Sequence, residues 1–451
     1  MENRNENENR LADWPIPKLI VTLSLPAMLA QVINVLYNIV DRMYIGRIKD
    51  IGAVALTGVG VTFPVLLLVS AFAQLIGSGG APLAAIELGK KDQDKAQKML
   101  GNAIASLIII GLLLTVIFEI IKRPLLMAFG ASENTISYGL DYLEIYLIGT
   151  IFVQFAIGLN PFINCQGRSK TSMLAILLGA VLNIALDPIF IFTFNLGVKG
   201  AAIATVISQA ASAFFILWVL KSKKSSIRIE RKNIRLEKKI LLAILALGVS
   251  PFIMQITESL INIVFNSGLQ KYGGDIHVGA MTIIQSVMQI MFVVSVGMTQ
   301  GIQPVISYNY GAGKHDRVRS AYRIGFISMT ALMAVVTAII MLFPGPFARI
   351  FTGNTEIIKV VKEMMPLFVA GMSIFGIQQG AQCAFVGLGD AKPSFFLACF
   401  RKIILLIPLA LILPHFMGVL GVYVAEPIAD ATSAITSGIL FKVRIKKLLK
   451  N

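Results

Sequence analysis

Long apolar runs recur about twelve times along the chain, and they restrict its fold more than any other feature of the sequence. Most are about 20 residues or longer, which is enough for an α-helix to cross a bilayer. Within lipid, a helix satisfies its own backbone hydrogen bonds, whereas irregular chain does not. Charged residues make up only 14% of the sequence, compared with about 25% in soluble proteins. The sequence therefore predicts an all-α polytopic membrane protein.

The predicted helices are separated by short polar or glycine-containing breaks. The widest break, Lys221–Lys239, divides them into two sets of six, and we expect it to be a solvated cytoplasmic linker. The predicted spans are Lys18–Gly46, Ala53–Ser78, Met99–Ile121, Ile136–Leu159, Thr171–Phe194, Gly200–Leu220, Ile240–Leu269, Val278–Gln303, Val318–Phe343, Ile357–Ala384, Pro393–His415 and Gly418–Phe441.

The same breaks give the predicted domain boundaries. Residues 1–17 are expected to form a cytoplasmic N-terminal tail, 18–220 an N-terminal lobe, 221–239 the linker, 240–442 a C-terminal lobe and 443–451 a basic cytoplasmic tail. The polar N-terminus lacks the pattern of a signal peptide, so we expect the first helix to act as an uncleaved insertion signal.

The distribution of basic residues predicts the orientation in the membrane. With the N-terminus inside, the termini and alternate loops on that side hold roughly 30 of the 40 Lys and Arg residues. We therefore predict a multi-pass protein of the cell (inner) membrane with both termini in the cytoplasm. The net charge of +16 is accounted for in this way. Binding of nucleic acid is not expected, because the chain contains no soluble basic domain.

The two halves of the chain repeat each other in sequence. Three short loop motifs recur in the same order, each about 221 to 224 residues after its first copy. The matching motifs begin at Gly89 and Gly313, at Gln166 and Leu388, and at Gly197 and Gly418. Because each half has six helices, both halves run in the same sense, as parallel repeats do. We predict two pseudo-symmetric six-helix lobes around a central cavity that is exposed to either side in turn.

A carboxylate lies inside the fifth apolar run. Asn183 and Asp187 are four residues apart in a stretch that is otherwise apolar from about Met173 to Phe194. On a helix, that spacing puts both side chains on one face. A carboxylate inside the hydrocarbon layer is costly, and by default it indicates a functional site with a partner.

The first helix supplies the expected partner, Asp41, at the end of a polar face that also contains Gln31, Asn34 and Asn38. Tyr37, Asn183 and Thr205 are available as neutral neighbours. Two close carboxylates in a low dielectric do not both ionise cheaply, so one holds a proton or a cation lies between them. Either arrangement predicts a cation-coupling site. The alternative is that Asp41 forms a plain ion pair with the adjacent Arg42.

The second half carries its own polar residues. A face of the seventh helix repeats that of the first, and the eighth helix is rich in methionine, which suits an adaptable binding wall. We assign these positions to a substrate cavity, although helix-to-helix hydrogen bonding and ordinary packing explain them as well. The predicted cavity residues from these three helices are Gln31, Asn34, Gln255, Glu258, Asn262, Gln285, Met288 and Met291.

Four further charges lie in the last two apolar runs. Arg401 and Lys402 are adjacent on the eleventh helix, and Glu426 and Asp430 are four apart on the twelfth. Because buried charges are usually paired, we predict an ion pair between these two helices.

Two other function classes fit the sequence poorly. An intramembrane enzyme needs a nucleophile–base set or a cluster of metal ligands in the membrane, and the apolar runs contain neither. No cofactor and no structural metal are therefore expected. A channel is compatible with the composition, but the two-fold repeat with buried acids favours a carrier.

The motifs resemble those of a known family. The segments Tyr37–Gly46 and Leu182–Pro188, with the loops that follow Gln166 and Leu388, are similar to signature segments of the MATE (multidrug and toxic compound extrusion) transporters. The resemblance extends from about Leu19 to Phe441 and is greatest for the prokaryotic DinF-like and MepA-like branch. It implies a secondary active antiporter that exports organic, often cationic, compounds in exchange for H⁺ or Na⁺ by alternating access.

The resemblance also implies roles for single residues. The coupling carboxylates of the prokaryotic branch match Asp41 and Asp187, and Glu258 falls where the NorM-like branch carries a functional glutamate. Other polar positions of the family match Tyr37, Asn38, Asn160, Asn183 and Thr205, and Asn160 joins the predicted cavity. A coupling Na⁺ would bind at Asp41, Asn183, Asp187 and Thr205.

The expected partners are small amphipathic drugs or toxins and the lipid bilayer, and we expect a monomer. The main alternative function is that of a lipid-linked saccharide flippase of the same superfamily. Its cavity would carry several inward cationic side chains for phosphate groups. The mid-membrane positions here are mostly acidic or amide, with Arg401 the exception.

Overall fold

The computed structural model describes residues 10–449, and every regular element in that range is helical. The outer ends of both predicted tails, residues 1–9 and 450–451, lie outside it. The described residues form two lobes of six membrane spans each, as the sequence predicts.

The N-terminal lobe (N-lobe) contains spans α1 to α6. The fourth is bent by 60° at Gly149, within the single helix Ile136–Leu159 that the sequence predicts. A Cβ at position 149 would collide with the side chain of Val206, so glycine at this position allows α4 to pack closely on α6. The bounds are α1 Ile16–Gly46, α2 Gly52–Gly89, α3 Gln93–Ala128, α4 Ile136–Ile148 with Thr150–Asn164, α5 Ser169–Thr193 and α6 Gly197–Lys221.

The C-terminal lobe (C-lobe) contains spans α7 to α12. The 74-residue helical stretch Lys238–Gly311 is broken at Gly274, whose φ of 70° and ψ of −170° are outside the helical region, so it forms two spans. The tenth span is bent by 42°. The bounds are α7 238–273, α8 275–311, α9 His315–Leu342, α10 Thr355–Val369 with Met372–Gly387, α11 Ala391–Met417 and α12 Val419–Leu448, and the short helix Pro344–Phe351 precedes α10.

The helix ends define two sides of the molecule. We call the side that carries residues 10–15 and the linker the linker side, and the opposite side the far side. On the linker side, the Asn309 amide and the Arg317 guanidinium donate to the backbone oxygen of Leu11, at 3.1 and 3.2 Å. On the far side, the α7–α8 break approaches the start of α12, where the His277 ring nitrogen lies 3.2 Å from the Tyr423 hydroxyl.

The linker is folded against the N-lobe. The Gln166 side-chain oxygen accepts hydrogen bonds from the Ser225 hydroxyl at 2.8 Å and from the Ile227 N–H at 3.1 Å. The Asn102 side chain accepts one from the Glu237 N–H at 2.6 Å. Ser225 and Ile227 are buried. The prediction of a solvated linker is therefore wrong for this part, because its polar groups are satisfied by N-lobe side chains instead of by water.

Three apolar cores show where the two lobes meet. On the linker side, one core is shared by both lobes, whereas on the far side each lobe has a core of its own. Representative members are Leu19, Ile76, Ile244 and Ile306 of the shared core, Ile45, Val65 and Leu143 of the N-lobe core, and Phe265, Phe368 and Tyr423 of the C-lobe core. The space between the lobes is therefore closed at the linker side and opens toward the far side.

Glycines permit the close approach at the closed end. A Cβ at Gly248 of α7 would collide with the backbone of Leu75, and one at Gly311 would collide with the backbone of Ile86. At these two positions the backbones of the two lobes are in direct contact, without intervening side chains.

The backbone also corrects the register of one repeat. Lys91 and Gly313 both have positive φ, at 63° and 69°, so they are equivalent positions in the two lobes. Gly89 then corresponds to Gly311 and not to Gly313. The other two matches agree with the structure, because Gly167 and Gly389 have φ of 74° and 71°, and Gly197 and Gly418 have φ of 55° and 59°.

Candidate functional site

Asp187 lies at a local irregularity of α5. Its α-helical part ends at Pro188, and residues Ile189–Thr193 continue with the wider winding of a π-helix. Proline has no N–H to donate, so it interrupts the regular hydrogen-bond ladder of the helix. π-Helical turns of this kind are frequent at functional sites. Asp187 and Asn183 are both buried, on the inward face that the spacing predicts.

The structure brings Asp41 of α1 and Asp187 of α5 together. The two carboxyl groups lie within hydrogen-bonding reach of each other. One oxygen of each, Oδ1 of Asp41 and Oδ2 of Asp187, is buried without a hydrogen-bond partner. Two carboxyls this close share a proton or are bridged by a cation, because mutual repulsion makes two charges costly.

Neutral oxygens surround this pair. The Asn183 amide donates to Asp187 Oδ1 at 3.3 Å and to the Thr205 hydroxyl of α6 at 3.4 Å. This amide therefore holds the carboxylate of Asp187 in place. The Asn183 side-chain oxygen is itself buried without a partner. The site thus offers three unpartnered oxygens and the Thr205 hydroxyl, a set that suits a hard cation or a shared proton.

Four residues near the Asp41–Asp187 pair are not among the site residues predicted from the sequence. Tyr142 of α4 lies in reach of Thr205, Gln209 of α6 in reach of Tyr37, and Ser70 of α2 in reach of Tyr146. Tyr142 and Tyr146 are buried and stack with ring centroids 6.3 Å apart. A usable signal was present, since Tyr142 and Tyr146, like Thr205 and Gln209, are spaced four apart on one helical face.

The other predicted N-lobe residues differ in their placement. Gln31 and Asn34 are half-buried on α1, and the Asn38 side chain is exposed and donates to the backbone oxygen of Asn34 at 2.6 Å. Asn160 is buried in the second part of α4, and its side-chain oxygen has no partner. No hydrogen bond joins these four residues to the carboxylate pair within residues 10–449.

The alternative of a close ion pair between Asp41 and Arg42 is not seen in the described part of the chain, although Arg42 still acts on Asp41 electrostatically. The Arg42 guanidinium lies over the Phe63 ring, 5.0 Å from its centroid. Adjacent helical residues point about 100° apart, which carries the arginine away from the inward face of α1.

The C-lobe contains a second group of charges. Arg401 of α11 donates to Glu426 at 2.8 Å and to Asp430 at 2.7 Å, both on α12, which confirms the predicted ion pair. Its guanidinium also lies 4.5 Å from the centroid of Phe375. Lys402 takes a different partner: it forms an ion pair with Glu258 of α7 and donates to the backbone oxygen of Met254 at 2.7 Å.

The remaining predicted cavity residues lie on α7 and α8. Gln255 is half-buried, and Glu258 and Asn262 are exposed. On α8, Gln285 is half-buried, whereas Met288 and Met291 belong to the apolar core of the C-lobe. Ordinary packing thus accounts for both methionines.

Comparison with known proteins identifies the family. A family model described as MatE matches residues 26–189 and 251–412, one block in each lobe. The chain belongs to the MATE family. As a family member, it is a membrane transporter and not an enzyme.

Relatives of this MATE protein are similar over nearly their whole length. "Multidrug export protein MepA" of Staphylococcus haemolyticus (strain JCSC1435) is 25% identical over 417 residues, which cover 92% of this chain and 91% of that protein. A crystal structure of MATE in the bent conformation gives a TM-score of 0.92 at 26% identity, covering 98% of each chain. The outward-facing conformation of a multidrug resistance MATE family transporter gives 0.90 at 26% identity, again covering 98% of each.

Proposed function

We propose that the chain is a multidrug efflux antiporter that exports organic, often cationic, compounds in exchange for H⁺ or Na⁺. The observation that carries the proposal is the contact between Asp41 and Asp187, with one unpartnered buried oxygen on each. Loading and unloading this site with a cation changes the charge of the N-lobe. Such a change favours one lobe arrangement over the other, because burial of a charge is costly.

The orientation follows from the distribution of basic residues. Both termini lie in the cytoplasm, so the linker side is the cytoplasmic side and the cavity opens to the outside. A structural relative described as outward-facing supports this orientation, with a TM-score of 0.90. Substrate enters from the cytoplasm or the inner leaflet when the lobes part at the linker side, and it leaves in the arrangement seen here.

Coupling requires that substrate and ion exclude each other. With the site empty and negatively charged, an amphipathic cation is retained in the cavity. Uptake of H⁺ or Na⁺ from outside neutralises the Asp41–Asp187 pair, and the substrate is released outward. Na⁺ would bind at Asp41, Asn183, Asp187 and Thr205, whereas a proton needs only the two carboxylates.

The pairing of the two buried C-lobe cations favours drug export over the flipping of lipid-linked saccharides. A flippase cavity needs cationic side chains that are free to hold phosphate. Here Arg401 and Lys402 are both buried and paired with carboxylates. The multidrug export name carried by the Staphylococcus haemolyticus relative agrees with the drug-export reading.

Imposing one gradient at a time tests this function. Purified protein in proteoliposomes is given a Na⁺ gradient alone, or a pH gradient alone, and accumulation of a fluorescent organic cation is recorded. We expect uphill accumulation under one of the two gradients, which identifies the coupling ion. Accumulation under neither gradient would contradict antiport.

A further inference from the structure

Lys402 is a buried cation whose acidic partner is not buried. Its side chain is 2% exposed, whereas the Glu258 side chain is 50% exposed. The neighbouring Arg401 differs, because both of its partners, Glu426 and Asp430, are buried with it. Of the three carboxylates in this group, only Glu258 is accessible from outside the lobe.

Glu258 stands on the polar face of α7. Gln255 and Asn262 lie three and four residues away on the same face. Glu258 stands between Ile244 of the shared core and Phe265 of the C-lobe core, at the level where α7 leaves the closed end and the lobes part. A carboxylate at membrane depth beside an open cavity is a natural site for an organic cation. In this structure its charge is already neutralised by the ammonium of Lys402.

If the ion pair with Glu258 breaks, the buried ammonium of Lys402 still has other polar partners nearby. The Met254 backbone oxygen accepts from its ammonium at 2.7 Å, and Glu426 is close enough to interact electrostatically. Lysine carries a compact charge on a flexible stem, so a short shift of the ammonium is possible without moving the helix. Arg401 has no such freedom, since two hydrogen-bonded acids hold its guanidinium.

We propose that Lys402 is a tethered competitor for the substrate site at Glu258. A monovalent organic cation that enters the cavity binds Glu258 by displacing the lysine ammonium, and a neutral compound gains nothing from this exchange. Lys402 therefore sets how strongly the C-lobe selects for positive charge. The inference rests on the proposed function in that substrates enter this cavity, but it concerns a site separate from Asp41 and Asp187.

A binding cycle on purified full-length protein in detergent tests the exchange. The background is Asp41→Asn with Asp187→Asn, which removes the N-lobe carboxylates as competing cation sites. Tetraphenylphosphonium and the neutral triphenylphosphine oxide are titrated by calorimetry. In Lys402→Met, we expect tetraphenylphosphonium to bind about tenfold tighter or more, because an unpaired carboxylate is left for it. Binding of triphenylphosphine oxide should be unchanged.

Three further variants separate competition from simple structural support. Lys402→Arg retains a cation and should bind tetraphenylphosphonium like the background protein. Glu258→Gln should weaken its binding, and adding Lys402→Met to Glu258→Gln should give no tightening. If Lys402→Met does not fold, Lys402→Gln takes its place with the same expected result.

The inference is overturned if removing the Lys402 charge leaves tetraphenylphosphonium affinity unchanged or lower, or if the neutral probe tightens equally. Such a result would make Lys402 a structural ion-pair partner only. Because the cycle measures equilibrium binding, its failure is distinguishable from failure of the proposed function, which would appear as absence of gradient-driven accumulation in the wild-type protein.

Discussion

Replacing either Asp41 or Asp187 by Asn is expected to reduce substrate accumulation in proteoliposomes to the level of protein-free vesicles. The two carboxyls share one site, so loss of either removes the second charge that makes ion uptake favourable. Asn has nearly the same shape as Asp, and the buried position therefore remains filled. The measurement is initial rate and final level of uptake under the gradient that drives the wild-type protein.

The matched control is Asp316→Asn. This carboxylate lies at the start of α9 on the linker side and is 95% exposed, so its removal should leave uptake near the wild-type level. Fluorescence-detected gel filtration verifies that all three variants are folded. Uphill accumulation that persists in both Asp41→Asn and Asp187→Asn would refute the coupling role of the pair.

Arg401→Met is expected to destabilise the C-lobe more than the loss of either Lys402 or Arg444 does. Removing the guanidinium leaves Glu426 and Asp430 buried without their cation, and breaking a buried pair of this kind costs about 3–5 kcal/mol. The stacking of the guanidinium on Phe375 is lost as well. Thermal and denaturant-induced unfolding of the purified protein measure the change.

Arg444→Met is the matched control for Arg401→Met. Arg444 pairs with Asp390 at 2.8 Å but is 41% exposed, so its loss should cost about 1 kcal/mol or less. Adding Glu426→Gln and Asp430→Asn to Arg401→Met should restore part of the lost stability, because no uncompensated charge then remains. A loss of stability in Arg401→Met no greater than in Arg444→Met would show that the network is not a buried ion cluster.

Much of the N-lobe site can be predicted from residue spacing along the helices and from the free-energy cost of a charge inside the membrane. Asp41 and Asp187 are recognisable because a charge in an apolar run is expensive, and the four-residue spacing places Asn183 beside Asp187. The four-residue spacing of Tyr142 and Tyr146 places them on one helical face, but it does not show whether that face points to the site. An aromatic residue in an apolar run is indistinguishable from core until the helix packing shows which way it points, and that packing depends on the close approach of α4 to α6 at Gly149.

In the C-lobe, the sequence alone does not predict which acidic residue pairs with Arg401 and which with Lys402. The sequence predicts that Arg401 and Lys402 pair with Glu426 and Asp430. Adjacent residues on a helix diverge by about 100°, so one of them faces α12 and the other faces α7. The direction of each depends on how α11 is rotated, which is set by packing and by the π-helical turn Phe400–Leu406. The pairing of Lys402 with Glu258 needed the structure.

The most direct test of the Asp41–Asp187 site is to measure the ion released when substrate binds. Purified protein loaded with the coupling ion is mixed with tetraphenylphosphonium, and released H⁺ is followed with a pH indicator or released Na⁺ with a radioactive tracer. The wild-type protein should release an ion on binding, whereas Asp41→Asn with Asp187→Asn should bind the probe without release. Equal release from the wild-type protein and the double variant would place the exchangeable ion elsewhere and contradict this account.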